Sequence, residues 1–494
     1  MQSDSEKNQD SLKAKAAKGL FWSMGERLLT QGALFVISLV LARILSPTEY
    51  GTLSMLLVFI NLADILVTNG LGESLIQRPD ASKEDFSTIF LCGFLISAVL
   101  YALIFFSAPT IGDFYGDQDM VLPLRILALR LPFSSLNAIQ KAYVSRNFLF
   151  RKQFLASFIG SFASGVVAIA LAYSGAGLYA LITQQFLNIV LCSLLLAVLC
   201  KWLPGIGFSG RSVREVLPLG LQLAGANFIN SLYTEGRALV IGKFYSSADL
   251  AYYNRGNQFP SLIVSNVNAP ISNVMLPVMS SVNQDRARLR SVTRKSMQLA
   301  SYALFPAMGL LASCAEPLVR VLLTDKWIEC VPYLQVLCVF YLFQPLQTMN
   351  WQALKAAGEG ALCFKLEVAK KAIGFALLFA SVPFGVMAIA VSSVLSGVAS
   401  MLLNMAPNAR VISYMIPEQL RDMAKPLAAT AVMCMAVLAL GLLPIADVAV
   451  LILQVVLGMG VYLLLSKLMG IEGFLYLMAE LRSRRNSWGG EAAR

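Results

Sequence analysis

The sequence predicts an all-α integral membrane protein with about fourteen transmembrane helices. Three observations carry this expectation: the apolar content, the length of the apolar runs and the placement of the basic residues. Hydrophobic residues fill 57% of the 494 positions and charged residues only 14%, whereas soluble domains carry roughly 25% charged residues. A chain crossing a bilayer must satisfy its backbone internally, as helices or as a closed barrel. The apolar runs here are about 20 residues long and lack the alternation of barrel strands, so they read as spanning helices.

Windows of about 19 residues place the spans at 20–42, 52–70, 87–108, 121–142, 154–173, 177–200, 213–242, 249–280, 297–323, 328–354, 361–381, 384–407, 424–443 and 447–467. The seventh, eighth and tenth are long and interrupted. Pro260, Pro270 and Pro277 punctuate the eighth, and Pro332 and Pro345 the tenth. With the N-terminus inside, thirty of the 39 Lys and Arg residues fall on inside segments, and the outside loops hold only Arg43, Lys243 and Lys326. Cytoplasmic loops collect Lys and Arg, and one missed span would invert every later loop. Both termini are therefore expected in the cytoplasm.

The same placement explains the net charge of +11 as a topology signal and removes a nucleic-acid partner. The chain has no histidine, the commonest proton shuttle and metal ligand. Its eight cysteines show no CxxC or zinc spacing and sit mostly in apolar runs, where Cys acts as a small hydrophobe. No metal site, cofactor or disulfide is expected. Residues 1–19 read as a polar cytoplasmic tail without a cleavable signal, so the first span acts as an uncleaved start helix. The outer loops are too short to hold a catalytic domain, which argues against an enzyme such as a polysaccharide polymerase or ligase.

An internal repeat organises the chain. Residues 43–51 read Arg-Ile-Leu-Ser-Pro-Thr-Glu-Tyr-Gly, and residues 243–251 read Lys-Phe-Tyr-Ser-Ser-Ala-Asp-Leu-Ala. Base, Ser, acid and small residue coincide at an offset of 200, after the first span and after the seventh. This predicts two pseudo-symmetric six-helix bundles, 20–200 and 213–410, joined by a cytoplasmic linker at 201–212. The helices of 424–467 are appended, and 468–494 form a cytoplasmic tail. Two such lobes around a central cavity make an alternating-access architecture.

Several stretches now carry a family likeness. They are Leu41 to Gly51, Ile76-Gln77-Arg78, and Gln140-Lys141-Ala142-Tyr143 with Arg146, Phe148 and Arg151. Tyr252-Tyr253-Asn254-Arg255, Lys326-Trp327, Asn350 and Gly358 extend it. In order and spacing the chain resembles the polysaccharide transporter (Wzx-type flippase) branch of the multidrug/oligosaccharidyl-lipid/polysaccharide flippase superfamily, over about residues 15–470. The resemblance implies a V-shaped two-lobe fold in a bacterial inner membrane. It also implies export of undecaprenyl-pyrophosphate-linked oligosaccharide repeat units to the outer face, in contact with a polymerase or glycosyltransferases. A monomer is expected, since both lobes lie in one chain. The rival reading is an ion-coupled drug or small-molecule antiporter of the same superfamily.

Ionisable groups inside the membrane are costly and functional by default. The candidates are Glu26, Arg27, Asp64, Arg125, Arg130, Glu235, Arg237, Arg255, Glu316 and Arg320. A diphosphate headgroup needs compensation on its way across about 30 Å of hydrocarbon, and arginine forks onto phosphate oxygens. Arg27, Arg130, Arg237 and Arg255 are thus expected to line a cationic cavity, with Arg125 a weaker member. Arg27 and Arg255 lie near span ends, where snorkelling is the alternative. Asn227, Tyr233, Tyr252, Asn254 and Gln258, with Asn230, Tyr253 and Asn266, are candidates to face sugar, or else to hydrogen-bond between helices. Coupling to H+ or Na+ would use Asp64, Glu26 or Glu235. Asp64 is preferred because no basic residue adjoins it in sequence.

Overall fold

The computed structural model describes residues 22, 25, 29–78, 80–205, 207–441, 446–476, 478 and 479. Among these residues every regular element is helical. Leu29–Ile44 (α1) leads to α2 (Pro47–Thr68), α3 (Leu71–Gln77), α4 (Lys83–Tyr115), α5 (Val121–Ala128) and α6 (Arg130–Arg146). Then come α7 (Phe150–Tyr173), α8 (Leu178–Cys200), α9 (Gly210–Phe244), α10 (Ser247–Ser280), α11 (Arg286–Ser313) and α12 (Ala315–Leu323). The chain ends with α13 (Val331–Leu342), α14 (Gln344–Ala356), α15 (Gly360–Ser381), α16 (Val386–Val411), α17 (Ile416–Leu440) and α18 (Asp447–Leu468).

Nine helices are long and apolar enough to cross a membrane among the described residues, and the bent pair α11–α12 makes a tenth. The chain is a multi-pass membrane protein. Four expected spans stay outside that set. The first has a described helix of only 29–44, the rest of the span falling largely outside the described residues. The others are α5 with α6, α9, and α15, and each carries charge at helix depth: Arg125 and Arg130, Glu235 and Arg237, or Lys365, Glu367, Lys370 and Lys371.

Proline explains where helices divide. Pro132, Pro317 and Pro345 cannot donate to the carbonyl four residues back, and the chain breaks at Leu129, Cys314 and Phe343 respectively. At Cys314 the two segments bend by 69°. By contrast α9 and α10 run unbroken despite their prolines, so the expected interruption appears only in the tenth span.

The chain divides into two compact units at Ala251/Tyr252. In the first, α7 and α8 form a close pair, α6 lies against α2, α4 and α8, and α9 runs along α2, α3 and α4. Leu71, Leu75, Phe86, Ile89, Ile139 and Val216 make a buried cluster where α3, α4, α6 and α9 meet. In the second unit, Met279, Leu289, Met297, Phe305, Met349 and Met405 build a core shared by α10, α11, α14 and α16. There α17 packs along α11, and α18 along α17.

The two repeated motifs fold alike. The Ser46 hydroxyl accepts from the Glu49 backbone at 3.3 Å while the Glu49 carboxylate accepts from the Ser46 N–H at 2.7 Å. Ser246 and Asp249 repeat this at 3.1 Å in both directions. These capping boxes satisfy orphan donors at the starts of α2 and α10, each worth about 1 kcal/mol. The motifs also meet: a Cβ at Gly51 would overlap the Ser247 carbonyl.

Candidate functional site

The polar residues of α2 fall at helical spacing: Asn61, Asp64 and Thr68 share one face. In the first unit this face meets α6 and α9. The Asp64 carboxylate lies 3.6 Å from the Arg130 guanidinium. The Arg130 guanidinium also donates to the Gln185 side chain of α8 at 3.5 Å. Asn61 donates to the Glu235 carboxylate of α9 at 3.1 Å.

This pairing is loose. Asp64 Oδ1 and Arg130 Nε are both buried without a hydrogen-bond partner, and buried charge tolerates such vacancies poorly. Arg130 and Asp64 keep 15% and 20% of their side-chain surface, so neither is fully enclosed. A guanidinium with unused donors beside a single carboxylate is set up to accept a second, stronger anion. Asp64, without a basic neighbour in sequence, has one in space.

The remaining candidates distribute as follows. Glu26 and Arg27 lie outside the described residues. Arg237 sits 5.7 Å over the Tyr233 ring, one turn away, with its Nε buried and unbonded. Arg125 is occupied locally, donating to the Phe105 carbonyl at 3.0 Å and stacking on that ring at 4.3 Å. Arg320 pairs with Glu316 at 2.8 Å. In the second unit Arg255, 5% exposed, donates to Gln258 at 2.6 Å and lies 5.0 Å over the fully buried Trp327. Tyr252 meets the same indole edge-on, and Tyr253 meets Tyr333. Asn266 turns back to the Leu262 carbonyl. Asn227 and Asn254 are half-buried and Asn230 is exposed on α9.

The structure therefore gathers Asp64 and Arg130, with Glu235 nearby through Asn61, while Arg125 is engaged at Phe105 and Arg255 at Trp327. Sequence reasoning missed Asn61 and Gln185. The i, i+3, i+7 stripe on α2 was the available signal for Asn61; nothing local marked Gln185.

Two cavities carry polar residues in their walls. In the first unit one of about 360 Å³ lies between α1, α6, α7 and α8. In the second, one of about 410 Å³ is lined by Arg290, Arg294, Tyr414, Glu418 and Asp422. One Arg290 nitrogen donates to both Glu418 oxygens at 2.8 Å, and Asp422 accepts from Arg294 at 2.5 Å and Tyr414 at 2.6 Å. Burial, and then the Asp422 hydrogen bond, push the Tyr414 hydroxyl well above its ordinary pKa. It remains a donor, and the cavity wall is a closed ion-pair network.

Residues 40–332 match the polysaccharide biosynthesis protein family. The chain belongs to that family. Among its relatives, the succinoglycan biosynthesis transport protein ExoT of Rhizobium meliloti (strain 1021) is 26% identical over 69% of each chain. The teichuronic acid biosynthesis protein TuaB of Bacillus subtilis (strain 168) is 25% identical over 75% of this chain and 77% of its own. The lipopolysaccharide biosynthesis protein WzxC of Escherichia coli (strain K12) is 25% identical over 73% and 74%. In fold, this polysaccharide biosynthesis protein is similar to the lipid II flippase MurJ in an inward closed conformation, at TM-score 0.71 and 15% identity over 92% of this chain and 98% of that one. An inward-facing multidrug resistance MATE transporter aligns at TM-score 0.58 and 15% identity, over 78% and 98%.

Proposed function

We propose that the protein flips an oligosaccharide carried on undecaprenyl diphosphate from the cytoplasmic to the outer face of a bacterial inner membrane. It is a transporter and not an enzyme. The observation that carries the reading is Arg130, a guanidinium at helix depth whose donors are incompletely used in a chain of the polysaccharide biosynthesis family. The relationship to the transport protein ExoT and the lipopolysaccharide biosynthesis protein WzxC, and the fold likeness to the lipid II flippase MurJ, support it.

In this reading the lipid diphosphate displaces Asp64 from Arg130. Asp64 keeps the empty site near neutral, so the arginine does not stand uncompensated in a low-dielectric interior. Arg237 supplies a second cation. Coupling to H+ or Na+ falls to Glu235, whose partner is the neutral amide of Asn61 and not a guanidinium. Arg125 and Arg255 hold their helices in place.

The antiporter reading draws on the likeness to MATE transporters. The experiment that separates the two is lipid analysis of a deletion strain. Complete undecaprenyl-linked repeat units accumulating on the cytoplasmic face, relieved by wild type, support the flippase. Normal glycan export with altered drug efflux would replace it with the antiporter.

A further inference from the structure

We infer that the crevice between α1, α6, α7 and α8, with amides and alcohols set among apolar side chains, is the subsite for the sugar portion of the cargo, near the diphosphate site at Arg130. The inference rests on the flippase reading and assigns its glycan a place that differs from the polar residues of α9 and α10.

Two helix faces lead from Arg130 into the crevice. On α6, Arg130, Ser134, Asn137 and Lys141 recur at i, i+4, i+7 and i+11, one continuous stripe. On α8, Gln185, Asn188 and Cys192 recur at i, i+3 and i+7. The stripes face each other: Arg130 meets Gln185 at one level, and Asn137 meets Cys192 at 3.5 Å two turns further on. Asn137, the α6 residue of the crevice wall nearest Arg130 in the stripe, lies seven residues from it, about 10 Å along the helix.

The lining is suited to neutral hydroxyls. Thr30, Gln31, Asn137, Ser161 and Asn188 present amides and alcohols, and among the described residues Lys141 is the one charged residue in the wall. A single ammonium does not balance a diphosphate, whereas neutral donors and acceptors match vicinal hydroxyls. Here the capacity is only partly used: the Thr30 and Ser134 hydroxyls are buried without a partner, and the Asn137 amide finds only a thiol. Asn188 donates to Ser161 at 2.9 Å. The volume of about 360 Å³ lies at the lower end of small-ligand sites.

The test is binding in nanodiscs of two probes, undecaprenyl diphosphate and the same lipid bearing one hexose. Wild type is expected to prefer the glycosylated probe, and Asn188→Leu to lower its affinity about fivefold, the worth of one neutral hydrogen bond, leaving the bare probe unchanged. Gln31→Leu, on the exposed rim, repeats the test without disturbing the α7–α8 pair, and thermal unfolding checks both variants. Arg130→Ala should weaken both probes. Equal effects on both probes in the crevice variants, or none on either, would overturn the subsite while leaving the flippase intact. Failure of wild type to bind either probe would overturn the flippase reading itself.

Discussion

At the scale of residues, Arg130 and Asp64 carry the most specific expectations. Arg130→Ala removes a charge-assisted contact worth about 1.5–3 kcal/mol, roughly ten- to a hundredfold in export. Undecaprenyl-linked intermediates should accumulate at normal protein levels, and Arg130→Lys should recover part of the activity because it restores charge but not the fork. Asp64→Asn acts in the opposite sense on binding. It frees Arg130 from its competitor, and affinity for the lipid diphosphate should rise severalfold in the nanodisc assay. Unchanged affinity would mean that the 3.6 Å pair does not compete with cargo. Glu235→Gln keeps an oxygen for Asn61 but cannot titrate, so proteoliposome transport should lose its response to an ion gradient while binding persists.

Single helices show how local chemistry and packing divide the work. The short residue at position 51 lets α2 approach the start of α10, and Gly70, at φ +104°, does the same toward Gly220 at the other end of α2. The far end of α9 is tied by the Lys243 ammonium to the Phe114 carbonyl, and its start by Arg78–Glu215 at 2.6 Å. Exposed pairs of this kind contribute about 0–1 kcal/mol, so close backbone approach matters more. Gly70→Leu strains the backbone and overlaps Gly220, and it should lower the unfolding temperature and protein yield. Trp327, buried beneath Arg255 and Tyr252, is the anchor of the second unit's first helix turns. Trp327→Ala should cost about 3–5 kcal/mol in detergent-solubilised unfolding, with Arg255 left over a cavity.

For the whole molecule, topology is the property to measure. The charge distribution expects both termini inside and fourteen crossings, including α6, α9 and α15, whose charges lower their apolar character. Cysteines introduced beside Arg43, Lys243 and Lys326 should label from outside, and those beside Lys201, Arg288 and Lys355 only after permeabilisation. Labelling of Lys355 and Lys326 sites from one side would remove the span between them and with it the expected count.

The sequence by itself determined the membrane class, ten of the apolar spans and the motif repeated at Ser46 and Ser246, because each depends on residues within one or two turns. The breaks at Leu129, Cys314 and Phe343 each precede a proline, but Pro218 and Pro306 lie inside unbroken helices, so the local sequence does not place a break by itself. It also singled out the charged residues, since a bilayer makes every buried charge conspicuous. Only the tertiary structure decided which of them belong together. Asp64 and Arg130 are joined by the crossing of α2 and α6, and Gln185 and Glu235 enter through α8 and α9. Arg255 is drawn instead to an indole far along the chain. Pairing across helices follows from which faces bury against each other, and periodicity within one helix does not contain that information.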